Sequence, residues 1–306
     1  MQRSRDTGAD VKLLAQLGLD PGQGVSVSLL HEKHGHRLFH VVTHHGDAFV
    51  LKLFSAGDTA EIQAYHLLRS LGIQTLPVRA VTDHALLLEN VTHSTTWKLA
   101  CAGDAQRADV GVAVAHWYGR LHAAGANYLA RVEHRVDFLR QETDDLTMET
   151  IRQMAETFGL GPHPIWSLVA DHLDRLRAAI RAVPETLLYN DFHWSNLAIT
   201  RDPPTRVIMF DYHLLGIGPR VSDYRNVLSV LTGEAQKAFI DTYAPIDKRS
   251  LALDAPLATL QALIVASQLP RLRSWARSFI AGVESGDLEA QVHRAVELIR
   301  TVTSDV

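Results

Sequence analysis

The sequence has few of the features that mark secreted or membrane proteins. Cys101 is the single cysteine among 306 residues, so no intrachain disulfide can form. This usage is typical of a reducing compartment, and we expect a cytoplasmic protein. Residues 1–6 carry no apolar segment of the kind found in a secretory signal. No apolar run approaches a bilayer-spanning length, so no membrane contact is expected.

The sequence also lacks an excess of charge of either sign. Its 30 Lys and Arg residues against 34 Asp and Glu residues give a net charge of −4. Such a balance lacks the basic surface by which proteins bind nucleic acids, so no nucleic-acid partner is expected. Apolar residues make up 46% of the chain, enough for the core of one large domain or two modest ones.

The apolar pattern changes character near residue 92. Strand-like runs dominate before it, at 25–30, 38–42, 48–54, 76–82 and 84–91, with one helical pattern at 61–71. Helical periodicity dominates after it, at 108–124, 164–183, 257–281 and 288–303, and Pro270 is expected to kink or break the third of these. We therefore predict an α+β protein with a sheet-rich lobe, residues 1–91, and a larger, mainly helical lobe, residues 92–306.

Polar side chains lie at the ends of two strand-like runs in the second half. Asp191 and Asn196 follow the run 186–189, and Asp211 ends the run 207–210. Phosphoryl transfer from a nucleotide needs a carboxylate to orient and deprotonate the acceptor hydroxyl, and oxygen ligands for magnesium. Asp and Asn are also common turn formers, which is the alternative interpretation.

This segment resembles the catalytic region of the aminoglycoside phosphotransferase family, the small-molecule branch of the protein-kinase-like fold. The family usually reads His-Gly-Asp-x-His-x-x-Asn, and this chain keeps Asp191, His193 and Asn196. It has Tyr189 and Asn190 where the family has His-Gly. The resemblance covers roughly residues 25–226. It implies a bilobal fold with a small antiparallel-sheet N-lobe and a larger, mainly helical C-lobe.

The resemblance also implies a reaction and the residues that perform it. The γ-phosphate of ATP or GTP would move to a hydroxyl of a small molecule, an aminoglycoside or another amino alcohol or sugar. Asp191 would be the base, and Asn196 and Asp211 would hold Mg²⁺. His193 and Asp223 would support them from behind, with Asp223 bracing the catalytic loop. The alternative for Asp223 is a plain helix cap.

A nucleotide site is expected in the N-terminal lobe. Lys52 lies inside an apolar strand-like run, where a charge is costly unless it is paired. Glu61, nine residues on, begins the predicted helix and is the expected partner, although it could be an ordinary surface residue. By resemblance, Glu89, Asn90 and Val91 cross between the lobes and meet the adenine edge. The connection 31–37 would cover the phosphates.

The acceptor is the least determined part. By resemblance, residues 137–156 and the last helices wall the acceptor pocket. Acidic residues outnumber basic ones in this segment, which suits a cationic acceptor, but a solvated helix face is the alternative. The acidic residues are Asp137, Glu142, Asp144, Asp145, Glu149 and Glu156, against Arg140 and Arg152.

Two other functions compete with the kinase hypothesis. One is a catalytically idle kinase-like protein that binds a nucleotide or a partner, which the departure at Tyr189 and Asn190 keeps open. The other is a metal-dependent hydrolase that uses the histidines of the first hairpin together with Asp191, although no His–Asp spacing in the sequence would assemble one site. Their spacing is not that of a structural zinc site, and we interpret them as solvated. These histidines are His31, His34, His36, His40, His44 and His45.

Overall fold

The N-terminal strands form one antiparallel sheet with the order β1-β2-β3-β5-β4. The computed structural model describes residues 11–33, 35–132 and 136–303, so His34 and residues 1–6 lie outside the described part of the chain. The strands are β1 (Ser26–Lys33), β2 (His36–Val42), β3 (Ala48–Leu53), β4 (Val78–Thr82) and β5 (Ala85–Glu89). A short helix, α1 (Val11–Gln16), precedes the sheet, and α2 (Ala60–Ser70) follows β3.

Each predicted N-terminal strand is present, but the first hairpin connection is shorter than predicted. β1 continues to Lys33 and β2 begins at His36, so most of residues 31–37 are in strands. The register between β1 and β2 shifts between Leu29 and His31. Because a bulge interrupts the two-residue alternation of side chains, the sequence pattern ended the strand too early.

Helices make up most of the chain after residue 100. The largest is α3 (Ala108–Leu129), which packs against residues 185–188, the strand that leads to Asp191. A Cβ atom built at Gly125 would lie 2.5 Å from the backbone nitrogen of Leu187, so only glycine permits this close approach. The others are α4 (Met148–Thr157), α5 (Ile165–Arg181), α6 (Val221–Val230), α7 (Gly233–Thr242), α8 (Lys248–Ser267), α9 (Ser274–Glu284) and α10 (Asp287–Thr303).

The predicted helix 257–281 is broken near Pro270, as expected, but its predicted start is wrong. α8 begins earlier, at Lys248, because the side chain of Asp247 caps it by accepting a hydrogen bond of 3.2 Å from the Ser250 nitrogen. It ends at Ser267, and α9 begins only at Ser274. Pro270 lies in the gap, as expected of a residue that cannot continue the hydrogen-bond ladder.

The expectation that no apolar run reaches membrane-spanning length is wrong for helix α8. Its 20 residues are long and apolar enough to cross a bilayer, as judged by length and composition alone. However, 61% of the apolar window is buried inside the protein. Leu253, Leu257 and Leu260 pack in one core with residues of α4, α5 and α10. Burial against other helices therefore accounts for its apolar character.

Two small sheets contain the strands around residues 189–211, which include Asp191, Asn196 and Asp211 and are called the catalytic segment after the family resemblance; its part 190–196 is called the catalytic loop. One has the order β10-β9-β6 and the other β7-β11-β8. Their strands are β6 (Trp97–Leu99), β7 (Arg140–Gln141), β8 (Glu185–Leu188), β9 (Leu197–Thr200), β10 (Val207–Met209) and β11 (Gly216–Pro219). The sequence did not predict β9, which pairs with β10 and forms a hairpin. This hairpin returns the chain to Asn196, whose carbonyl accepts a 3.1 Å hydrogen bond from the Phe210 nitrogen.

Candidate active site

The catalytic loop begins with a residue in the left-handed region. Asn190 has φ of 64°, a conformation that costs most side chains energy but that asparagine tolerates well. The family has glycine here, so the chain replaces one residue suited to this conformation by another. The departure at this position therefore preserves the backbone path into Asp191.

Tyr189 occupies the position of the family histidine and is fully buried. Its hydroxyl donates a hydrogen bond to the carbonyl of Phe210, directly before Asp211. Its ring packs edge-on against Trp117 and Tyr212. The tyrosine thus ties the strand that precedes Asp191 to the strand end that carries Asp211.

Asp191 and Asn196 contact each other across the loop. The amide nitrogen Nδ2 of Asn196 donates to Asp191 Oδ2 at 2.6 Å and to the Asp191 carbonyl at 3.3 Å. These bonds orient the carboxamide and leave its oxygen, Oδ1, as the atom that could bind a metal ion. Burial raises the pKa of Asp191, and nearby Asp211 raises it further, whereas His213 and His193 oppose the shift.

His193 lies on the exposed side of this loop. Its Nδ1 accepts a 3.2 Å hydrogen bond from the Ser195 nitrogen and lies 2.7 Å from the Ser195 hydroxyl. It therefore caps the short helical turn Trp194–Asn196, which presents Asn196 to Asp191. This contact fits the supporting role expected of His193.

One carboxylate oxygen of Asp211 contacts two side-chain nitrogens. Lys52 Nζ lies 2.7 Å and His213 Nδ1 lies 3.0 Å from Asp211 Oδ1. Burial alone would raise the pKa of Asp211, but His213 and Lys52 hold it well below its usual range. Asp211 has φ of 66°, so the backbone at this residue is held in a sparsely populated conformation.

Lys52 joins the two lobes. It is paired with Glu61, as the sequence predicted, and also with Asp211. Burial acts to lower the pKa of Lys52, but the two carboxylates raise it above its usual value. Glu61 is only 2% exposed and is therefore not the surface residue of the alternative interpretation. Lys52 is therefore held as a cation between two carboxylates from different parts of the chain.

Asp223 braces the catalytic loop from below. Both of its carboxylate oxygens are used: Oδ2 accepts from the Tyr189 nitrogen at 2.8 Å and Oδ1 from the Asn190 nitrogen at 2.9 Å. These partners lie in the catalytic segment, so the side chain is not simply a helix cap. Oδ2 also lies 3.0 Å from His122 Nε2, and His122 Nδ1 lies 2.5 Å from the Tyr243 hydroxyl.

His122 and Tyr243 were missed by sequence reasoning. A histidine within the apolar periodicity of a predicted helix was the available signal, since His122 directly follows the core residue Leu121. A buried histidine of this kind more often makes hydrogen bonds within the core than takes part in function. Its spacing alone therefore did not predict a functional role. Its partner Tyr243 is distant in sequence and left no signal.

Residues 89–91, between the two lobes, have fewer unpaired backbone groups for binding a nucleotide base than the resemblance implied. The nitrogen of Glu89 donates to Pro77 O at 3.0 Å, and that of Asn90 donates to Ala48 O at 3.3 Å. The Asn90 side chain bonds to Thr92 and shapes the turn. A nucleotide base at this edge would therefore have to use the carbonyl of Glu89 or the backbone nitrogen of Val91.

The acidic segment 137–156 is not a continuous acidic wall. Glu142 is nearly buried and accepts a hydrogen bond from Ser222, with Arg225 3.8 Å away. Asp144 lies 2.9 Å from Arg181. Glu142 is thus a structural residue and cannot face an acceptor, because its carboxylate points into the packing of α6 and α8.

Glu142 gives a pH-dependent prediction. Burial and nearby Asp254 raise the pKa of Glu142 from 4.5 to about 8, against the opposing effect of Arg225. The folded protein therefore holds a proton that the unfolded chain releases over this interval, so stability falls as the pH rises through it. Glu142→Gln is expected to flatten this decline and to raise the melting temperature relative to the parent at pH 8.

Thermal unfolding of both proteins between pH 5 and pH 8.5 measures the effect. The matched control is Glu149→Gln, in the same segment but 63% exposed, which should leave the pH slope unchanged. Parallel curves for the parent and Glu142→Gln would contradict the prediction.

One group of metal-capable side chains lies at this site. Asp191, Asp211 and His213 each offer a ligand atom, and these atoms lie within 4.8 Å of one another. Within residues 11–33, 35–132 and 136–303, none of the hairpin histidines joins such a group. This placement speaks against the hydrolase hypothesis. His213 was not predicted, although its position two residues after Asp211 was a visible signal.

A model of the phosphotransferase enzyme family matches residues 26–252. The chain belongs to this family. The resemblance of its catalytic motif to the aminoglycoside phosphotransferases is thereby confirmed. No curated protein matches the chain significantly in sequence.

Solved structures of small-molecule kinases share the fold. The choline kinase of Streptococcus pneumoniae has a TM-score of 0.56 at 13% identity and covers 96% of this chain and 100% of its own. A choline/ethanolamine kinase family protein from Mesorhizobium loti has 0.59 at 13%, covering 95% and 98%. An amicoumacin kinase in complex with AMP-PNP, Ca²⁺ and Ami has 0.57 at 16%, covering 89% of each chain. The predicted bilobal, protein-kinase-like α+β fold is confirmed.

Proposed function

We propose that the protein transfers the γ-phosphate of ATP or GTP to a hydroxyl of a small molecule. The observation that carries this proposal is the meeting of Lys52, Asp211 and the Asp191–Asn196 pair at one place, although they come from distant parts of the chain. Lys52 would bind the phosphates, and Asp191 would orient the acceptor hydroxyl and take its proton. Asn196 and Asp211 would hold Mg²⁺, whose charge neutralises the phosphates.

Known relatives support the nucleotide and the metal. The amicoumacin kinase of similar fold was solved with a nucleotide analogue and a divalent cation. The donor set here also fits such an ion, since carboxylate and carboxamide oxygens are the ligands that Mg²⁺ prefers. The carbonyl of Glu89 accepts and the backbone nitrogen of Val91 donates a hydrogen bond, a pair of groups that can meet the base of ATP or of GTP.

The acceptor is proposed to be an amino alcohol or an amino sugar. The similar folds include choline and aminoglycoside kinases, which act on cationic alcohols. Asp191 itself supplies negative charge where the acceptor would bind. The acidic segment contributes less than the sequence suggested, because Glu142 is buried. A cytoplasmic location remains a prediction from the single cysteine.

A screen of nucleotide consumption tests the function. Choline, ethanolamine, aminoglycosides, amino sugars and neutral sugars would each be offered with ATP or GTP and Mg²⁺, and the phosphorylated product identified by mass spectrometry. Turnover of a cationic alcohol is the expected result. Nucleotide binding without turnover of any acceptor would favour the catalytically idle alternative, and absence of nucleotide binding would contradict both.

Lys52→Met is expected to weaken the binding of nucleotide with Mg²⁺ by roughly 10–100-fold, since a hydrogen bond to a charged group is worth about 1.5–3 kcal/mol. Calorimetry measures the affinity. The matched control is Lys237→Met on the exposed side of α7, which should bind like the parent. Because Glu61 would be left buried without its partner, a second variant, Lys52→Met with Glu61→Gln, separates a folding defect from lost affinity. Parent-like affinity in the folded double variant would contradict the role of Lys52.

A further inference from the structure

His213 has no role in the proposed reaction as described above, yet it lies among the residues that would perform it. It follows Asp211 by two residues, and its side chain is 49% exposed. Its Nδ1 lies 3.0 Å from Asp211 Oδ1, and one of its ring nitrogens lies within 4.8 Å of a carboxylate oxygen of Asp191. The imidazole therefore faces the place where the metal ion of the reaction would be bound.

The distances suit ligands of a single ion. Ligand atoms about 2.0–2.1 Å from an octahedral metal ion lie about 3 Å apart when adjacent and about 4 Å apart when opposite. The 3.0 Å between His213 Nδ1 and Asp211 Oδ1 matches an adjacent pair. A carboxylate oxygen of Asp191, the proposed base, lies within 4.8 Å of the ligand atoms of Asp211 and His213, so an ion bound by these two residues would lie beside the base.

We propose that His213 is a ligand of the divalent cation, which makes this a mixed oxygen and nitrogen site. The proposal rests on the proposed function and specifies its metal. Mg²⁺ is a hard cation that prefers oxygen, whereas Mn²⁺ and the later transition metals bind imidazole more readily. A histidine ligand therefore shifts the preference of the site from Mg²⁺ toward Mn²⁺. Asp211 supplies the adjacent carboxylate oxygen.

The same geometry has a second interpretation, which the experiment must separate. His213 could act as a cation, holding Asp211 and contacting the phosphates much as Lys52 does. A ligand and a cation respond in opposite ways to replacement. In His213→Asp, a carboxylate oxygen can replace the histidine as a metal ligand but cannot replace it as a cation. In His213→Lys, the ammonium group can replace it as a cation but cannot bind the metal ion.

Pulsed electron paramagnetic resonance of Mn²⁺ bound to the whole protein with AMP-PNP is the direct test. A nitrogen coupling from an imidazole is expected, and it should shift when the histidines carry ¹⁵N. The coupling should be absent in His213→Gln and kept in His116→Gln, an exposed histidine on α3. His213→Asp should retain Mg²⁺ binding while its preference for Mn²⁺ over Mg²⁺ falls by at least about tenfold.

The outcomes distinguish this inference from the proposed function. Mn²⁺ bound with nucleotide but without nitrogen coupling would overturn the ligand role and leave the kinase proposal intact. His213→Lys with parent-like metal affinity would likewise overturn it and assign the cationic role. If neither Mn²⁺ nor AMP-PNP binds, both proposals fail. Absence of the coupling in the unmodified protein overturns the ligand role even if a variant does not fold, and a coupling that is present is assigned to His213 by its loss in folded His213→Gln or His213→Asp.

Discussion

Asp191→Asn is expected to lower kcat by roughly 10²–10⁴, the usual effect of losing a positioned general base. In the parent, Asn196 Nδ2 donates a 2.6 Å hydrogen bond to Asp191 Oδ2. Asparagine keeps the size of the side chain, and its amide oxygen can still accept this hydrogen bond. It cannot accept the proton of the acceptor hydroxyl. Nucleotide affinity should stay near that of the parent, because Lys52, Asn196 and Asp211 are unchanged.

The measurement compares steady-state turnover of the identified acceptor with nucleotide affinity by calorimetry. Asp202→Asn, the same change at an exposed residue beside the β9–β10 hairpin, is the matched control. A folded Asp191→Asn protein that turns over within about threefold of the parent would show that Asp191 is not the base. Equal losses of kcat and nucleotide affinity would instead indicate a collapsed loop.

The site residues could be found in the sequence where chemistry and pattern coincide. Lys52 was predictable because a lysine in an apolar strand needs a partner, and Glu61 was the nearest carboxylate on the following helix. Asp191, Asn196 and Asp211 were predictable because they follow apolar runs in a spacing that resembles the catalytic motif of the family. Their roles as base and metal ligands stay predictions, since the structure supplies their positions and not the reaction.

Residues that act through distant contacts could not be found in this way. Tyr243 reaches His122 and then Asp223 across more than a hundred residues of chain, so no local pattern connects them. The prediction that Glu142 faces the acceptor is wrong because its local sequence suggested a surface that the fold does not form. It stands in an acidic segment that looks solvated, and only the packing of α6 and α8 shows that its carboxylate is buried.

Element boundaries were least predictable where a local irregularity interrupts the pattern. The bulge near Leu29 hid the end of β1, and the cap at Asp247 extended α8 beyond its clearest apolar periodicity. The strand β9 was missed because its four residues directly follow the catalytic loop and are too few for a pattern. Yet β9 and β10 together place Asp211 beside Asn196, so the missed strand positions the predicted site.

Asp211→Asn is expected to abolish the metal-dependent binding of nucleotide and to lower turnover by on the order of 10³ or more, because charge stabilisation by a metal ion is worth several kcal/mol. Asparagine is the informative replacement. It tolerates the left-handed conformation at φ of 66°, so the backbone can stay in place, whereas alanine would add strain. The change therefore removes a charge from the site without changing its shape.

The expected pattern of effects separates Asp211 from Asp191. Asp211→Asn removes the oxygen charge that holds Lys52 at 2.7 Å and His213 at 3.0 Å, so metal titration by calorimetry should show no saturable binding with nucleotide. Asp191→Asn should bind metal and nucleotide but turn over slowly, and Asp202→Asn should match the parent in both. Parent-like metal affinity in folded Asp211→Asn would place the ion elsewhere. In that case the pair of Lys52 and Asp211 would be a structural link between the lobes, because an ion pair between β3 and the end of β10 joins them whether or not a metal ion is bound.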